Sequence, residues 1–307
     1  MNFNIFTLVA LSLFSLAVLG QTFNYTDLGR NWVTSTECNG LRQSPINIDT
    51  SKLTKENKDI KITATGTDIT SGSIVGTNPN ELKVTTSNGQ IAYRSDSEQS
   101  TWDLSQFHFH APSEHTIDGT RYDLCLHNVF VKQTDGNSFM VLGFLWQLDN
   151  NAPDDSFLTS LNVSGVAGNT NDISNVPMAE LYSWSNQFTK YNYKGGLTTP
   201  NCLEAVEWMV ISQPRKINQN QLSQFTSLWA DNSSFAGGNG NIRELQELNR
   251  RNINLVGYKD DDDDYDWAWP VVSVLIVLLV VATGLAVIML ICYLNKVKEV
   301  NNEEIAK

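Results

Sequence analysis

The sequence predicts a mainly β domain: a large, twisted, mostly antiparallel sheet with short helices at its periphery. Short runs of strand character recur at 60–64, 81–85, 91–94, 105–110, 124–132, 139–147 and 206–213. Stretches rich in Asn, Gly and Ser separate them, the punctuation of an antiparallel sheet protein. Helical periodicity is confined to 176–188 and 219–229; the second segment follows Asn218 and carries Leu222, Phe225 and Leu228 at helical spacing. The run 139–148 is apolar on both faces, which suits a central strand covered on both sides.

From the amino terminus, residues 1–20 read as a secretory signal peptide: an apolar run from Ile5 to Leu19 with small residues at Ala17 and Gly20, although Lys and Arg are missing before it. Residues 21–257 form one large domain. Residues 258–269 are an acidic linker, kept extended by the mutual repulsion of Asp260 to Asp264. Residues 270–294 carry no charge and exceed the roughly 20 apolar residues a helix needs to cross a bilayer. Trp267, Trp269 and Tyr293 mark the edges of that run, and Lys296 and Lys298 follow it, so the tail 295–307 is expected in the cytoplasm. The charged tail argues against a lipid-anchor signal, which ends in its apolar stretch. The expected product is a single-pass type I membrane protein, most simply of the plasma membrane, with its large domain outside or in a lumen. A net charge of −12 argues against a nucleic-acid partner.

Cys292 falls at the inner end of the apolar run. Cys38, Cys125 and Cys202 are an odd set, so one pair and one free thiol are expected, and sequence alone does not say which. Asn24, Asn162 and Asn232 stand in N-x-S/T sequons and are candidate glycan sites in a secreted domain.

Chemistry is concentrated in Gln106-Phe107-His108-Phe109-His110, which places two of the four histidines at alternating positions. On a strand, His108 and His110 share one face and Phe107 and Phe109 the other. His127 lies in a second strand-like run. If the two strands pair, three imidazoles converge and a fourth position stays open for water, the pattern of a catalytic zinc site. A His-x-His followed by Glu114 also suits a cupin, though the glycine spacing after Glu114 fits that fold poorly.

Further motifs stand in order along the chain: Gln43-Ser44-Pro45-Ile46-Asn47-Ile48, Ser113-Glu114-His115-Thr116, Gly195-Gly196-Leu197-Thr198-Thr199-Pro200-Asn201-Cys202 and Glu207-Trp208-Met209-Val210. With the histidines they make residues 23–254 resemble the α-class carbonic anhydrases, a match that a cupin leaves unexplained. The resemblance implies that family's sheet fold and the reversible hydration of carbon dioxide to bicarbonate. It implies zinc on His108, His110 and His127, with Gln106 and the residue at 125 behind the rings. Thr198 would orient the attacking oxygen by donating its own proton to Glu114. Val129, Val141, Leu197, Val206 and Trp208 would form the apolar wall for carbon dioxide, and Thr199 would contact bicarbonate. His115 would hydrogen-bond Tyr193, Cys38 would pair with Cys202, and sulfonamides would inhibit.

Two departures from the family pattern stand out. The position of its proton-shuttling histidine aligns with Asn80, and Cys125 occupies the place of a glutamate that orients the third histidine. The segment 241–249 also lacks the family's prolines. Some family members have lost activity and serve as cell-surface binding modules, usually with a zinc histidine missing. This chain keeps all three, with Thr198 and Glu114, so an enzyme is expected.

Overall fold

The structure is a computed structural model. It describes residues 23–34, 37–54, 60–76, 82–95, 97–230, 236–257, 283–285, 287–291 and 294–295. The predicted signal peptide, acidic linker, Asn80, Asn232, and most of the predicted membrane helix and tail lie outside the described residues. Contacts divide the chain into 1–258 and 259–307. In the second unit the described residues are helical. Among the described residues, no helix is long and apolar enough to cross a membrane.

Among the described residues of the first unit, fifteen strands follow one another: β1 (Asn47–Ile48), β2 (Lys61–Gly66), β3 (Gly72–Val75), β4 (Lys83–Thr85), β5 (Gly89–Arg94), β6 (Gln99–His110), β7 (Thr116–Ile117), β8 (Thr120–Arg121), β9 (Leu124–Lys132), β10 (Phe139–Leu148), β11 (Thr170–Ile173), β12 (Lys190–Gly195), β13 (Val206–Ile211), β14 (Arg215–Ile217) and β15 (Asn254–Val256). Among the described residues, three α-helices accompany them, α1 (Ser156–Ser160), α2 (Met178–Ser185) and α3 (Gln219–Ala230), with short 3-10 turns at Arg30–Thr34 and Thr50–Lys52. The main sheet runs β11-β3-β4-β6-β9-β10-β13-β12-β15, with β14 pairing beside β10 and β2-β5 beside β6. It is mixed: most pairs are antiparallel, but β10 pairs parallel with both β13 and β14. The stretches 176–188 and 219–229 do form helices, shortened to α2 in the first case. β1, β3, β7, β8, β11, β12, β14, β15 and α1 gave no signal, because short or polar segments here are held by neighbours rather than by their own pattern.

The sheet separates two apolar clusters. Leu126 and Phe130 of β9, Met140, Leu142 and Phe144 of β10, and Met209 and Ile211 of β13 fill the larger one. Cys125, Val129, Val141, Leu145, Val206, Trp208 and Val210 fill the other. Strand alternation generates this division, and β6 shows how it is adjusted. Leu104 pairs with Phe130 and Gln106 with Val129, so Ser105 is an extra residue in a β-bulge. Because of it, Trp102, Leu104, Phe107 and Phe109 all reach the larger cluster. Gln106, His108 and His110 are thereby left on the opposite face.

Candidate active site

Cross-strand register assembles the site. His108 of β6 pairs directly with His127 of β9, and Gly143 of β10 stands next along that rung. On the rung beside it lie Gln106, Val129, Val141, Trp208 and Tyr193. His110 pairs with Cys125. The three histidines offer ring nitrogens that all lie within 4.8 Å of one another.

The hydrogen bonds identify the converging atoms. His108 Nδ1 is 2.8 Å from Gln106 Oε1, and His110 Nδ1 is 2.7 Å from the backbone oxygen of Asn241. Both rings therefore carry the proton on Nδ1 and present a bare Nε2. His127 has its Nε2 3.7 Å from Cys125 Sγ, which leaves Nδ1 facing inward. Burial pushes the imidazoles of His108 and His127 well below the usual histidine range, with His110 and Lys83 adding to the effect on His108, and His110, His108 and His115 to that on His127. Neutral rings are what a metal requires.

Glu114 is fully buried. Its Oε1 accepts the backbone N–H of Arg243 at 2.9 Å. Its Oε2 lies 3.4 Å from His110 Nε2 and 3.8 Å from His127 Nδ1, and neither Oε2 nor His110 Nε2 has a hydrogen-bond partner. Two orphaned buried atoms facing a common point, with three nitrogen donors around it, fit a cation, and imidazole donors suit zinc. The expected bond from Thr198 to Glu114 is not formed: Oε2 is turned to the imidazoles, and Oε1 is engaged by Arg243.

In the loop after β12, Thr198 is buried at 4 % exposure, with Leu197 and Thr199 half-buried beside it. Gly195 makes that exit possible, since a Cβ there would overlap Ser44 Oγ and stand 2.8 Å from Trp208 Cδ1. A disulfide joins Cys38 to Cys202 at the far end of the loop. Val129, Val141, Val206 and Trp208 line the site face, with Leu197 packed against them.

His115 is 1 % exposed, and burial lowers its imidazole to about 3. It meets Tyr193 Oη at 2.7 Å, and Tyr193 donates in turn to Ser44 Oγ. Cys125 is buried and free, with its thiol pushed up by burial and by Glu114. It stays behind His127 as a neutral thiol rather than turning inward as a ligand. Of the sequon residues, Asn162 is exposed, and Asn24 is half-buried with its Oδ1 accepting from Thr26. Sequence reading missed Asn241 and Arg243, which brace His110 and Glu114 through backbone atoms. Backbone contacts leave no residue-type signal, although the missing prolines drew notice to this segment.

The family model for eukaryotic-type carbonic anhydrase matches residues 28–256. Rabbit (Oryctolagus cuniculus) carbonic anhydrase 4 is 28 % identical over 253 residues, covering 76 % of this chain and 81 % of that protein. Bovine (Bos taurus) carbonic anhydrase 6 is 26 % identical over 244 residues, covering 70 % and 73 %. Among solved structures, the halotolerant carbonic anhydrase of Dunaliella salina superposes with a TM-score of 0.62 at 26 % identity, covering 78 % of this chain and 99 % of that one. The α-carbonic anhydrase of Thermovibrio ammonificans, solved with the inhibitor sulfanilamide, gives 0.59 at 25 %, covering 76 % and 99 %. The chain belongs to the eukaryotic-type carbonic anhydrase family, a family of enzymes.

Proposed function

We propose that this chain catalyses the reversible hydration of carbon dioxide to bicarbonate and a proton, with zinc on His108, His110 and His127. The convergence of three ring nitrogens within 4.8 Å beside the unbonded Oε2 of Glu114 carries the reading. Zinc on such a donor set acts as a Lewis acid that lets water yield hydroxide near neutral pH. The chain's own residues do the rest. Gln106 and the Asn241 carbonyl hold two rings in the right tautomer. Val129, Val141, Val206, Trp208 and Leu197 offer carbon dioxide an apolar wall that excludes bulk water. Thr198 and Thr199 supply hydroxyls for the attacking oxygen and for bicarbonate. A carboxylate only accepts, so Thr198 can give its proton to Glu114 only once Oε2, here turned to the imidazoles, swings toward that hydroxyl.

Proton export proceeds without a histidine at the mouth. The chain has four histidines; three converge and His115 is buried behind them. Turnover is therefore limited by buffer, and imidazole-type buffers accelerate it; a rate indifferent to such buffers refutes this point. The Cys38–Cys202 disulfide and the uncharged run 270–294 support a single-pass protein whose catalytic domain, residues 21–257, faces an oxidising exterior or lumen.

The deciding assay is carbon dioxide hydration by the purified protein, with zinc content and sulfanilamide sensitivity measured on the same sample. One zinc per chain with sulfonamide-sensitive hydration is expected. Zinc without hydration, or no zinc, replaces the enzyme with a surface binding module.

A further inference from the structure

The motif that opens with Gln43 and Ser44 has no part in the chemistry above, yet one side chain ties it to the site. Arg243 is buried at 3 % exposure. Its Nη1 donates to Gln43 Oε1 at 2.8 Å and to the Ser44 carbonyl at 2.9 Å, and its Nη2 donates to the Cys38 carbonyl at 3.1 Å. Gln43 Nε2 donates in turn to the Cys202 carbonyl at 3.3 Å. The guanidinium thus bears on both halves of the Cys38–Cys202 disulfide, on one directly and on the other through Gln43. The backbone N–H of the same residue holds Glu114 Oε1. Residues 241–248 form neither helix nor strand, so side chains and single backbone bonds decide where this segment lies. Asn241 has its own anchor on β6, where its amide bonds the backbone of Phe109 and Ala111, both at 2.9 Å. Glu244 is tied to the Leu28 carbonyl by its N–H. Between these two, Arg243 is set by its guanidinium.

We propose that Arg243 is the positioning residue of Glu114, and that through it the disulfide fixes the carboxylate on which Thr198 depends. This rests on the zinc-site reading above. The bonds of the guanidinium end on neutral amide oxygens, and its Nε has no partner. A buried cation on neutral acceptors is a costly way to gain stability alone. Its planar, rigid fork is well suited to fixing a position. With Oε1 held by the Arg243 N–H, Oε2 is the oxygen left to swing toward Thr198. A shift of Arg243 therefore moves the acceptor of that hydroxyl's proton, while His110, fastened through Asn241, stays where it is. Zinc binding and the orientation of Thr198 are then separable, and Arg243 acts on the second.

The test uses the zinc-loaded full-length chain with sulfanilamide as the probe, read by calorimetry beside zinc content and the kinetics of carbon dioxide hydration. A sulfonamide nitrogen at the metal carries an N–H that needs an acceptor, and the Thr198 hydroxyl turns a lone pair to it when its own proton goes to Glu114. Arg243→Gln is expected to keep one zinc per chain, to weaken sulfanilamide about tenfold, and to lower kcat with the KM for carbon dioxide unchanged. Cys38→Ser with Cys202→Ser is expected to weaken it about fivefold, and the combined variant about tenfold, because both changes cut one chain of bonds. Glu244→Gln is expected to bind as wild type does, since that carboxylate pairs with Arg30 at 2.6 Å, outside the chain of bonds. Where Arg243→Gln does not fold, Arg243→Lys takes its place, with a loss of about threefold. Unchanged sulfanilamide affinity in the Arg243 variant at full zinc overturns the proposal. Loss of zinc itself also overturns it, since the site would then have collapsed as a whole, and so does an equal loss of affinity in Glu244→Gln. Losses that multiply in the combined variant, to about fiftyfold, overturn the link to the disulfide. A wild-type chain that binds no zinc overturns the site reading and this inference together.

Discussion

The two strands that supply the histidines hold them by different means. On β6, the rings of His108 and His110 are fixed by bonds of 2.8 and 2.7 Å to amide oxygens. On β9, among the described residues, the only hydrogen-bond partner of the His127 ring is the Cys125 thiol at 3.7 Å, and the ring packs against Trp208, with centroids 4.8 Å apart, and against the other histidines. A thiol is a weak acceptor, and burial with the nearby Glu114 keeps it protonated. The β6 half is therefore oriented by hydrogen bonding and the β9 half by packing. In a metal site the partner behind each ligand fixes ring and tautomer. The β9 half is accordingly where zinc affinity is open to improvement.

The largest expected effect tests whether both halves are needed. His110→Ala and His127→Ala are each expected to abolish stoichiometric zinc, read by metal analysis after gel filtration; retention in either shows that one half suffices. Next is pH. Behind His127 stands His115, whose folded value of about 3 lies below its unfolded value of 6.5. The unfolded chain therefore binds the extra proton, and stability is lost as pH falls from about 6.5 toward 3. Between pH 7 and 4 this group alone costs roughly 3 kcal/mol. Urea midpoints of metal-free wild type and His115→Gln check it, and equal pH slopes would count against the assignment.

Cys125→Glu is expected to raise zinc affinity about 10- to 100-fold by giving His127 Nε2 a strong acceptor. The new carboxylate would meet the unfavourable field of Glu114 and the favourable one of Arg121, the same groups that act on the thiol. A competition titration with no gain would remove the contrast between the halves. The smallest effect sharpens it: Gln106→Ala is expected to weaken zinc about tenfold, and Cys125→Ala less than about threefold. Equal losses would mean that the thiol orients His127 as firmly as the amide orients His108.

Much of this protein was legible in its residues. The long strands β6, β9, β10 and β13 carry continuous apolar or alternating patterns, and a period of two places His108 with His110 wherever the strand lies. Residue type marked the histidines as chemistry, whereas Glu114 and Cys125 stood out only through the family resemblance. The pairing of His127 with His108 was not contained in that pattern, because register depends on which strands meet and how they twist. The bulge at Ser105 was likewise invisible: it shifts the alternation between Leu104 and Gln106, so that both Leu104 and the two phenylalanines reach one core. Sequence also gave no hint that backbone atoms of Asn241 and Arg243 would brace His110 and Glu114. Period and residue type are local properties carried by each segment. The candidate metal site is a coincidence of β6, β9 and the 241–243 segment, and only packing the two clusters against opposite faces of one sheet brings those segments together.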